Sequence, residues 1–128
     1  AYFALLPARI ELKTTERYTG IDWFAVDRLP ALAYDHKEVV ALAVKRLQAK
    51  LEYTNIVYSL LPREFSLTEL QKTYEIILKK KFDKRNFRKK VLALALVKKT
   101  NKREEGTRNR PAELYQFTKT KPEIIQIL

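Results

Sequence analysis

Two helix-start signals lie 17 residues apart and confine the middle of this 128-residue chain to a pair of short helices. Ser66 can act as an N-cap, with Glu69 as its capping-box partner. Asp83 can cap a second helix in the same way. Only Lys80, Lys81 and Phe82 separate the two predicted helices. The spacing therefore predicts a helix, a tight turn and a helix.

Apolar residues at helical spacing support both helices. In the first helix they form one stripe of Leu67, Leu70, Tyr74, Ile77 and Leu78. Phe65 before the cap can pack on Leu70 as a hydrophobic staple. In the second helix, predicted to end near Ala95, the apolar edge is narrow and consists of Phe87, Val91 and Leu94. The rest of that helix surface is basic or amide.

A hairpin pattern follows the second helix. It comprises a strand over Leu96–Thr100, a basic loop over Asn101–Pro111 and a return strand over Ala112–Phe117. Helix, tight turn, helix and hairpin are the organisation of a winged helix-turn-helix. The apolar tail Glu123–Leu128 needs a surface to pack on, either in this domain or in a second copy of the chain.

The first third of the chain predicts strands followed by a long helix. The predicted strands are Ala1–Leu6, Arg9–Lys13 and Trp23–Val26. The predicted helix spans Asp35–Leu51, with Asp35 and Glu38 as a capping box and Tyr34 and Val39 as a staple. A short helical turn is expected over Ile56–Leu61. The chain does not begin with Met and opens directly on apolar residues, which indicates a piece of a longer protein.

The positive charge of the chain is concentrated in one segment. The formal net charge is +11, from 26 Lys and Arg against 15 Asp and Glu. Residues 1–65 carry a net charge of +1, whereas the 32 residues of Lys79–Arg110 carry 14 basic and 3 acidic residues. No Asp or Glu occurs from Lys84 to Lys99. A solvated helix face would mix both signs, so this block favours a polyanionic partner.

The amino-acid composition excludes most kinds of catalytic and metal-binding site. With no Cys there is no disulfide, thiol nucleophile or Cys-ligated zinc, and the lone His36 excludes a multi-histidine metal site. We expect no catalytic and no metal site, and two glycines leave no room for a phosphate-cradling loop. No apolar run is long enough to span a bilayer and no signal peptide opens the chain, so the prediction is a cytoplasmic, nucleoid-associated protein without a membrane partner.

The partner that fits these features is double-stranded DNA. A single helix fits the major groove, where Arg pairs with guanine and Asn with adenine. The predicted base readers are Arg85, Asn86 and Arg88, and lysines of the same helix are predicted to contact phosphates: Lys84, Lys89 and Lys90. At the start of the preceding helix, Ser66 and Thr68 can offer hydroxyl groups to a phosphate. The predicted hairpin contacts are Lys98, Lys99, Lys102, Arg103, Arg108 and Arg110.

The run Asp83–Lys90 (DKRNFRKK), together with Leu60-Leu61-Pro62, Phe65–Gln71 and Arg110-Pro111-Ala112, resembles the C-terminal domain of the Nudix-related transcriptional regulators. Upstream, Trp23-Phe24, Leu29-Pro30, Leu32–His36 and the helix over Asp35–Leu51 are similar to the end of that family's Nudix domain. The resemblance implies an α+β chain: residues 1–51 as the C-terminal strands and helix of a Nudix-type domain, and residues 52–128 as the winged helix.

The resemblance also implies a function. Members join an effector-sensing Nudix-type domain to a winged helix that binds operators as a homodimer. It implies a bacterial repressor whose parent protein senses ADP-ribose or a related nucleotide or sugar metabolite, with no cofactor held in this chain. Arg103–Gly106 (REEG) is similar to the end of a Nudix box, but the spacing is wrong and the upstream Gly and Glu are missing. We therefore expect no enzyme activity in this chain.

Two alternatives stay open at this point. The parent protein could be a Nudix hydrolase of ADP-ribose or a related nucleoside diphosphate, with a basic accessory domain. The chain could also bind structured RNA. Single-stranded RNA is bound by stacking on exposed aromatic rings, but Tyr74, Phe82 and Phe87 fall at core or staple positions of the predicted helices.

Overall fold

The computed structural model describes residues 2–14, 17, 20–106 and 110–127. Three helices and one antiparallel hairpin make up its regular structure, which confirms the α+β winged helix. In chain order these are α1 (His36–Tyr53), a 3-10 turn (Ile56–Leu60), α2 (Leu67–Leu78), α3 (Lys84–Ala93), β1 (Val97–Arg103) and β2 (Glu113–Phe117).

The predicted strands of the first third are wrong: the described residues before α1 form no strand. A strand needs a neighbour to accept and donate its backbone hydrogen bonds, and none of the described residues pairs with this segment. Its apolar side chains stay exposed, among them Phe3, Ile10 and Phe24. Its hydrogen bonds include one that spans 13 positions, from Nε1 of Trp23 to the carbonyl oxygen of Ile10 at 3.2 Å.

Helix α1 forms where it was predicted, but its start differs. Asp35 occupies the N-cap position and accepts no hydrogen bond through its side chain, so the predicted capping box is wrong. Tyr34 has a left-handed backbone (φ 54°) and a fully exposed ring, so the staple with Val39 does not form. Asp35 has φ −97° and ψ 16°, outside the extended conformation that N-cap residues usually adopt.

The apolar stripe of α1 faces the rest of the protein, as predicted. Val40, Ala43, Val44 and Leu47 are half-buried and Leu51 is fully buried. Gln48 fixes the contact with α2, since its Nε2 donates to the carbonyl oxygen of Ile77 at 2.8 Å. The last turns of α1 thus pack into the core, and the predicted domain boundary after residue 51 falls inside this helix.

Helix α2 starts as the sequence predicts. The Ser66 hydroxyl oxygen accepts a hydrogen bond from the backbone N–H of Glu69 at 3.2 Å. Phe65 and Leu70, the predicted staple pair, are both fully buried. The predicted stripe is buried in the core, with Ile77 only partly so.

The turn between α2 and α3 is held by side chains of α2. Lys79 ends α2 in a left-handed conformation (φ 54°), which reverses the chain. The Glu75 carboxylate accepts a hydrogen bond from the N–H of Phe82 at 2.9 Å, and Nε2 of Gln71 donates to the Phe82 carbonyl oxygen at 2.9 Å. Both backbone groups of the turn residue are therefore satisfied, which fixes the direction in which α3 leaves.

Helix α3 begins at the predicted cap, where the Asp83 carboxylate accepts from the N–H of Asn86 at 2.8 Å. It ends at Ala93, two residues before the predicted end. Ala95 adopts a left-handed conformation (φ 52°) and its N–H donates to the carbonyl oxygen of Leu92 at 3.1 Å. Leu96 N–H donates to the carbonyl oxygen of Val91 at 3.3 Å. These two bonds form a Schellman motif that ends the helix.

The hairpin pairs Val97 with Phe117 and Arg103 with Glu113, with a bulge between Lys99 and Arg103. β1 continues three residues beyond the predicted strand, so the loop predicted to start at Asn101 is wrong at that end. The sequence offered no apolar alternation there, because both faces of this part of the wing are exposed. Gly106, with φ 72°, lies in the loop at a conformation that favours glycine.

A short antiparallel bridge joins the hairpin to the helices. Phe65 and Tyr115 exchange backbone hydrogen bonds of 3.0 and 2.7 Å. The rings of Phe65 and Phe117 lie 4.6 Å apart in the core. The hairpin is thereby fixed to the start of α2.

Part of the C-terminal tail packs within the same chain, whereas Ile124 is exposed and Leu128 lies outside the described residues. Ile127 is fully buried and its N–H donates to the carbonyl oxygen of Glu52 at 2.9 Å. The buried side chain of Asn55 anchors the segment, accepting from the N–H of Glu123 at 2.8 Å and donating to the carbonyl oxygen of Lys121 at 3.0 Å.

Candidate nucleic-acid interface

The outward face of α3 is exposed and cationic. Phe87 and Val91 are buried beneath the helix, and Arg85, Asn86 and Lys89 lie on the side turned away from them. Lys84 and Lys90 flank the helix and are also exposed. Burying one narrow edge leaves this face free to enter a groove.

Leu92 is a residue of this face that the sequence reasoning missed. It lies one turn after Arg88 and Lys89, and 46% of its surface is exposed. An apolar side chain among base-reading groups can contact the methyl group of thymine. The signal was present in the helical projection, since Leu92 falls outside the stripe of Phe87, Val91 and Leu94.

Arg88 differs from the other predicted base readers. Its side chain is half-buried and its Nη2 donates to Oγ1 of Thr68 at 3.1 Å. Its Nε is buried and has no hydrogen-bond partner among the described residues. The guanidinium therefore lies between the starts of α2 and α3 rather than on the outward face.

The hydroxyl groups of Ser66 and Thr68 already take part in hydrogen bonds within the protein. Ser66 is buried and its hydroxyl oxygen caps α2, while Thr68 is half-buried and accepts from Arg88. Sequence reasoning offered both hydroxyls to a phosphate, since it could not see which hydroxyl the fold already uses.

The cations of the wing are exposed, and several pair with acids. Lys102 contacts Glu64 at 3.1 Å. Lys99 and Arg103 lie 3.6 and 3.8 Å from the two carboxylate oxygens of Glu113. The other wing residues predicted as contacts and described in the structure, Lys98 and Arg110, are exposed too, whereas Arg108 lies outside the described residues. Exposed pairs of this kind are weak and exchange readily with other anions.

A concave surface connects α3 to the wing. A cleft of about 560 Å³ lies between the two, and four cationic side chains line it: Lys84, Arg88, Arg103 and Arg110. Leu67, Pro111, Ala112, Glu113 and Tyr115 complete its wall. The structure thus brings together four cations that are up to 26 positions apart in the sequence.

A second basic cluster lies beside the wing. Arg63, which the sequence reasoning missed, lines a surface hollow with Lys98, Lys99 and Lys102. Its position just before α2 gave no periodic signal. The basic surface therefore extends from α3 across the wing to the segment that precedes α2.

Glu69 lies at the edge of this surface, where the charged form of its carboxyl is disfavoured. Burial raises the pKa of the Glu69 carboxyl, and the nearby Glu104 carboxylate raises that pKa further. Lys72 opposes this effect. Glu104 belongs to the start of the wing loop, so this repulsion acts between α2 and the wing.

No group of three or more His, Asp or Glu side chains in the described parts of the chain is arranged to hold a metal ion. Nor is any described helix long and apolar enough to cross a membrane.

The fold and its cationic face together define a winged helix protein of the DNA-binding class. The family model of the NrtR DNA-binding winged helix domain matches residues 57–117. Residues 57–117 thus form a winged helix domain of the kind found in the Nudix-related transcriptional regulators.

Curated and solved relatives agree with this assignment. The chain is 34% identical over 118 residues to a protein of Acinetobacter baylyi named ADPR responsive transcriptional repressor NtrR, covering 91% of this chain and 47% of that protein. The crystal structure of Shewanella oneidensis NrtR complexed with a 27mer DNA is similar, with a TM-score of 0.62 and 33% identity, covering 73% of this chain and 42% of that one.

A second crystal structure of Shewanella oneidensis NrtR has a TM-score of 0.59 at 33% identity, covering 69% of this chain and 39% of that chain. The chain spans about half the length of the curated relative that it matches. These relatives are regulators, which supports the regulator reading over the hydrolase alternative.

Proposed function

We propose that this chain binds double-stranded DNA through the outward face of α3 and the wing, as the DNA-binding part of a transcriptional repressor. The observation that carries the proposal is the exposed, acid-free face of α3. This face presents Arg85, Asn86 and Lys89 on a helix whose opposite edge is buried. The match to an NrtR solved with DNA supports the same reading.

The chemistry of each side chain sets its role. A major groove about 12 Å wide admits one helix. Arg85 can donate two hydrogen bonds to the O6 and N7 atoms of guanine, and Asn86 can pair with the N6 and N7 atoms of adenine. Lys89 and Lys90 contact phosphates as point charges. The wing then contacts the neighbouring sugar–phosphate backbone of the DNA.

We further propose that residues 1–51 are the end of a Nudix-type domain and that the whole protein responds to ADP-ribose or a related metabolite. The Acinetobacter relative, named as ADPR responsive, supports this proposal. Binding of the whole protein as a homodimer and a cytoplasmic location at the nucleoid belong to the same proposal. We propose no enzyme activity for this chain.

Base reading by α3 is tested with Arg85→Ala. We expect a loss of about 1–3 kcal/mol on the preferred sequence and a relaxed preference at one base pair. Lys98→Ala on the wing is expected to weaken binding to all sequences alike. The measurement is selection of duplexes from a random pool, followed by competition binding at fixed salt.

Arg46→Ala, which removes an exposed arginine from α1, is the matched control and should leave both affinity and preference unchanged. If Arg85→Ala and Lys98→Ala gave the same pattern, α3 would not read bases. If duplex RNA displaced DNA at equal concentration, the assignment to DNA would be wrong.

A further inference from the structure

We propose that the cleft between α3 and the wing holds one phosphate of the DNA backbone, and that Arg88 is its anchor rather than a base reader. This inference rests on the proposed DNA binding and assigns a separate task to one part of that surface. Its starting point is the position of Arg88, which lies in the cleft wall and not on the outward face of α3.

The charge of the cleft defines the ligand. Lys84, Arg88, Arg103 and Arg110 line it, and Glu113 is the one acid among its described lining residues. Four cations outnumber this one carboxylate around a space of about 560 Å³, so a further anion that enters the cleft is attracted. A phosphate accepts several charge-assisted hydrogen bonds at once, and arginine donates them in pairs.

The hydrogen bonds of Arg88 show that the side chain is positioned in advance. Thr68 accepts from Nη2 at 3.1 Å, which fixes the plane of the guanidinium. The buried Nε has no partner among the described residues, and a buried N–H left unpaired is costly. Because this Nε is buried, an acceptor oxygen entering the cleft would first meet the other N–H groups of the guanidinium, and Nε would be reached only if the side chain shifted. Arg88 thus has one donor occupied by the protein and others available to a ligand.

Glu113 competes for the same cations. Its carboxylate lies 3.8 Å from Nη2 of Arg103, and Nη1 of Arg103 donates to the carbonyl oxygen of Pro111 at 3.1 Å. The hydroxyl group of Tyr115 contacts Glu113 at 3.4 Å, which holds the carboxylate at the cleft. A backbone phosphate would replace this carboxylate as the partner of Arg103.

A duplex whose major groove holds α3 brings a backbone to this place. The cleft opens between the start of α3 and the wing, at the flank of the face that carries Arg85 and Asn86. Phosphate contacts fix the register of a protein on its duplex, while base contacts give the sequence preference. The cleft therefore sets where along the groove α3 sits.

The test measures how DNA affinity depends on salt. Each phosphate contact contributes about 0.9 to the slope of log K against log salt concentration. With duplexes selected by the wild-type chain, Arg88→Ala is expected to reduce the slope by about one and to weaken binding equally on preferred and unrelated duplexes. The control Arg46→Ala should keep the wild-type slope.

Two further variants separate the proposed contact from damage to the fold. Thr68→Val keeps the shape and removes the oxygen that positions Arg88, so we expect weaker binding with unchanged base preference. Glu113→Gln keeps a partner for Tyr115 and removes the competing charge, so we expect binding several-fold tighter than wild type. A misfolded wing would weaken binding instead.

Several outcomes would overturn the proposal. One is an Arg88→Ala variant that relaxes base preference at one position with an unchanged salt slope. Another is a Glu113→Gln variant that binds no tighter than wild type. If inorganic phosphate bound the wild-type chain but not Arg88→Ala while the DNA slope stayed unchanged, the cleft would serve a free anion. Failure of the wild-type chain to bind duplex DNA would instead refute the proposed function.

Discussion

Ala95 ends α3 with a left-handed backbone, a conformation that costs an L-residue with a side chain about 1–2 kcal/mol. Glycine is the usual residue at this point of a Schellman motif because it has no Cβ to clash. The buried pair Val91 and Leu96 on either side fixes the motif, so the chain accepts the strain at Ala95.

We therefore expect Ala95→Gly to raise the free energy of unfolding by about 1 kcal/mol. Ala93→Gly, two residues earlier at the last residue of the helix, where φ is negative, is the matched control and should lower it by up to about 1 kcal/mol. Urea unfolding of both variants measures the difference. Equal signs for the two changes would contradict the left-handed assignment at Ala95.

Glu75 links the stability of the turn to pH. The hydrogen bond from the N–H of Phe82 lowers the pKa of the Glu75 carboxyl below its ordinary value of 4.5, and Gln71 and Lys81 act in the same direction. Since the pKa is lower in the folded than in the unfolded protein, the ionised carboxylate stabilises the fold above pH 4.5. That contribution is lost as the pH falls through the folded pKa.

The prediction is that Glu75→Gln destabilises the protein near neutral pH and that the difference from wild type shrinks as the pH is lowered. Unfolding free energies measured from about pH 6 to about pH 3 follow this change. Glu38→Gln, at an exposed position on α1, should show no such convergence. A pH-independent difference at Glu75 would mean that its charge does not hold the turn.

At the scale of elements, two aspartates at N-cap positions differ in what they contribute. Asp83 accepts from the N–H of Asn86 at 2.8 Å and starts α3, whereas Asp35 makes no side-chain bond at the start of α1. α3 has only ten residues, so one hydrogen bond at its start matters more than it would in the eighteen-residue α1.

Asp83→Ala is therefore expected to lower the free energy of unfolding by about 1 kcal/mol. Asp35→Ala, the same substitution at the unused cap, should change it by less than about 0.5 kcal/mol. Thermal or urea unfolding distinguishes them. A cost at Asp35 as large as that at Asp83 would show that α1 is capped after all.

At the scale of the whole molecule, the basic residues of α3, the cleft and the wing are contiguous. The outward face of α3, the cleft and the wing form one cationic surface. Glu64, just before α2, and Glu113, in the wing, neutralise part of it. DNA binding by such a surface releases counterions from the duplex.

We expect a steep salt dependence from this surface. With six to ten phosphate contacts, raising the salt concentration from about 50 to about 200 mM should lower the DNA affinity by a factor of about 10³–10⁵. Replacing Lys98, Lys99 and Lys102 together by Gln should reduce the slope by up to about three. A wild-type slope near zero would contradict an electrostatic interface, whatever the affinity.

The local signals were sufficient for the helices of the winged helix. Ser66 and Asp83 start α2 and α3 because a cap needs only the backbone N–H groups of the next turn, which the sequence itself supplies. The apolar stripe of α2 could be predicted because residues three and four positions apart lie on the same face of a helix. The N-terminal strands could not, because strand pairing depends on partners distant in the chain, and no described residue supplies them.

The sequence by itself determined the winged helix order, the caps of α2 and α3 and the location of the charge, since all three depend on residues within one or two turns of each other. Only the tertiary structure decided that Arg88 turns toward Thr68, that Ser66 is buried and that Glu113 lies among the cations of the wing. Thr68 and Arg88 are 20 positions apart, and Glu113 is 14 and 10 positions from Lys99 and Arg103, so these contacts depend on packing. No local pattern encodes such a distance.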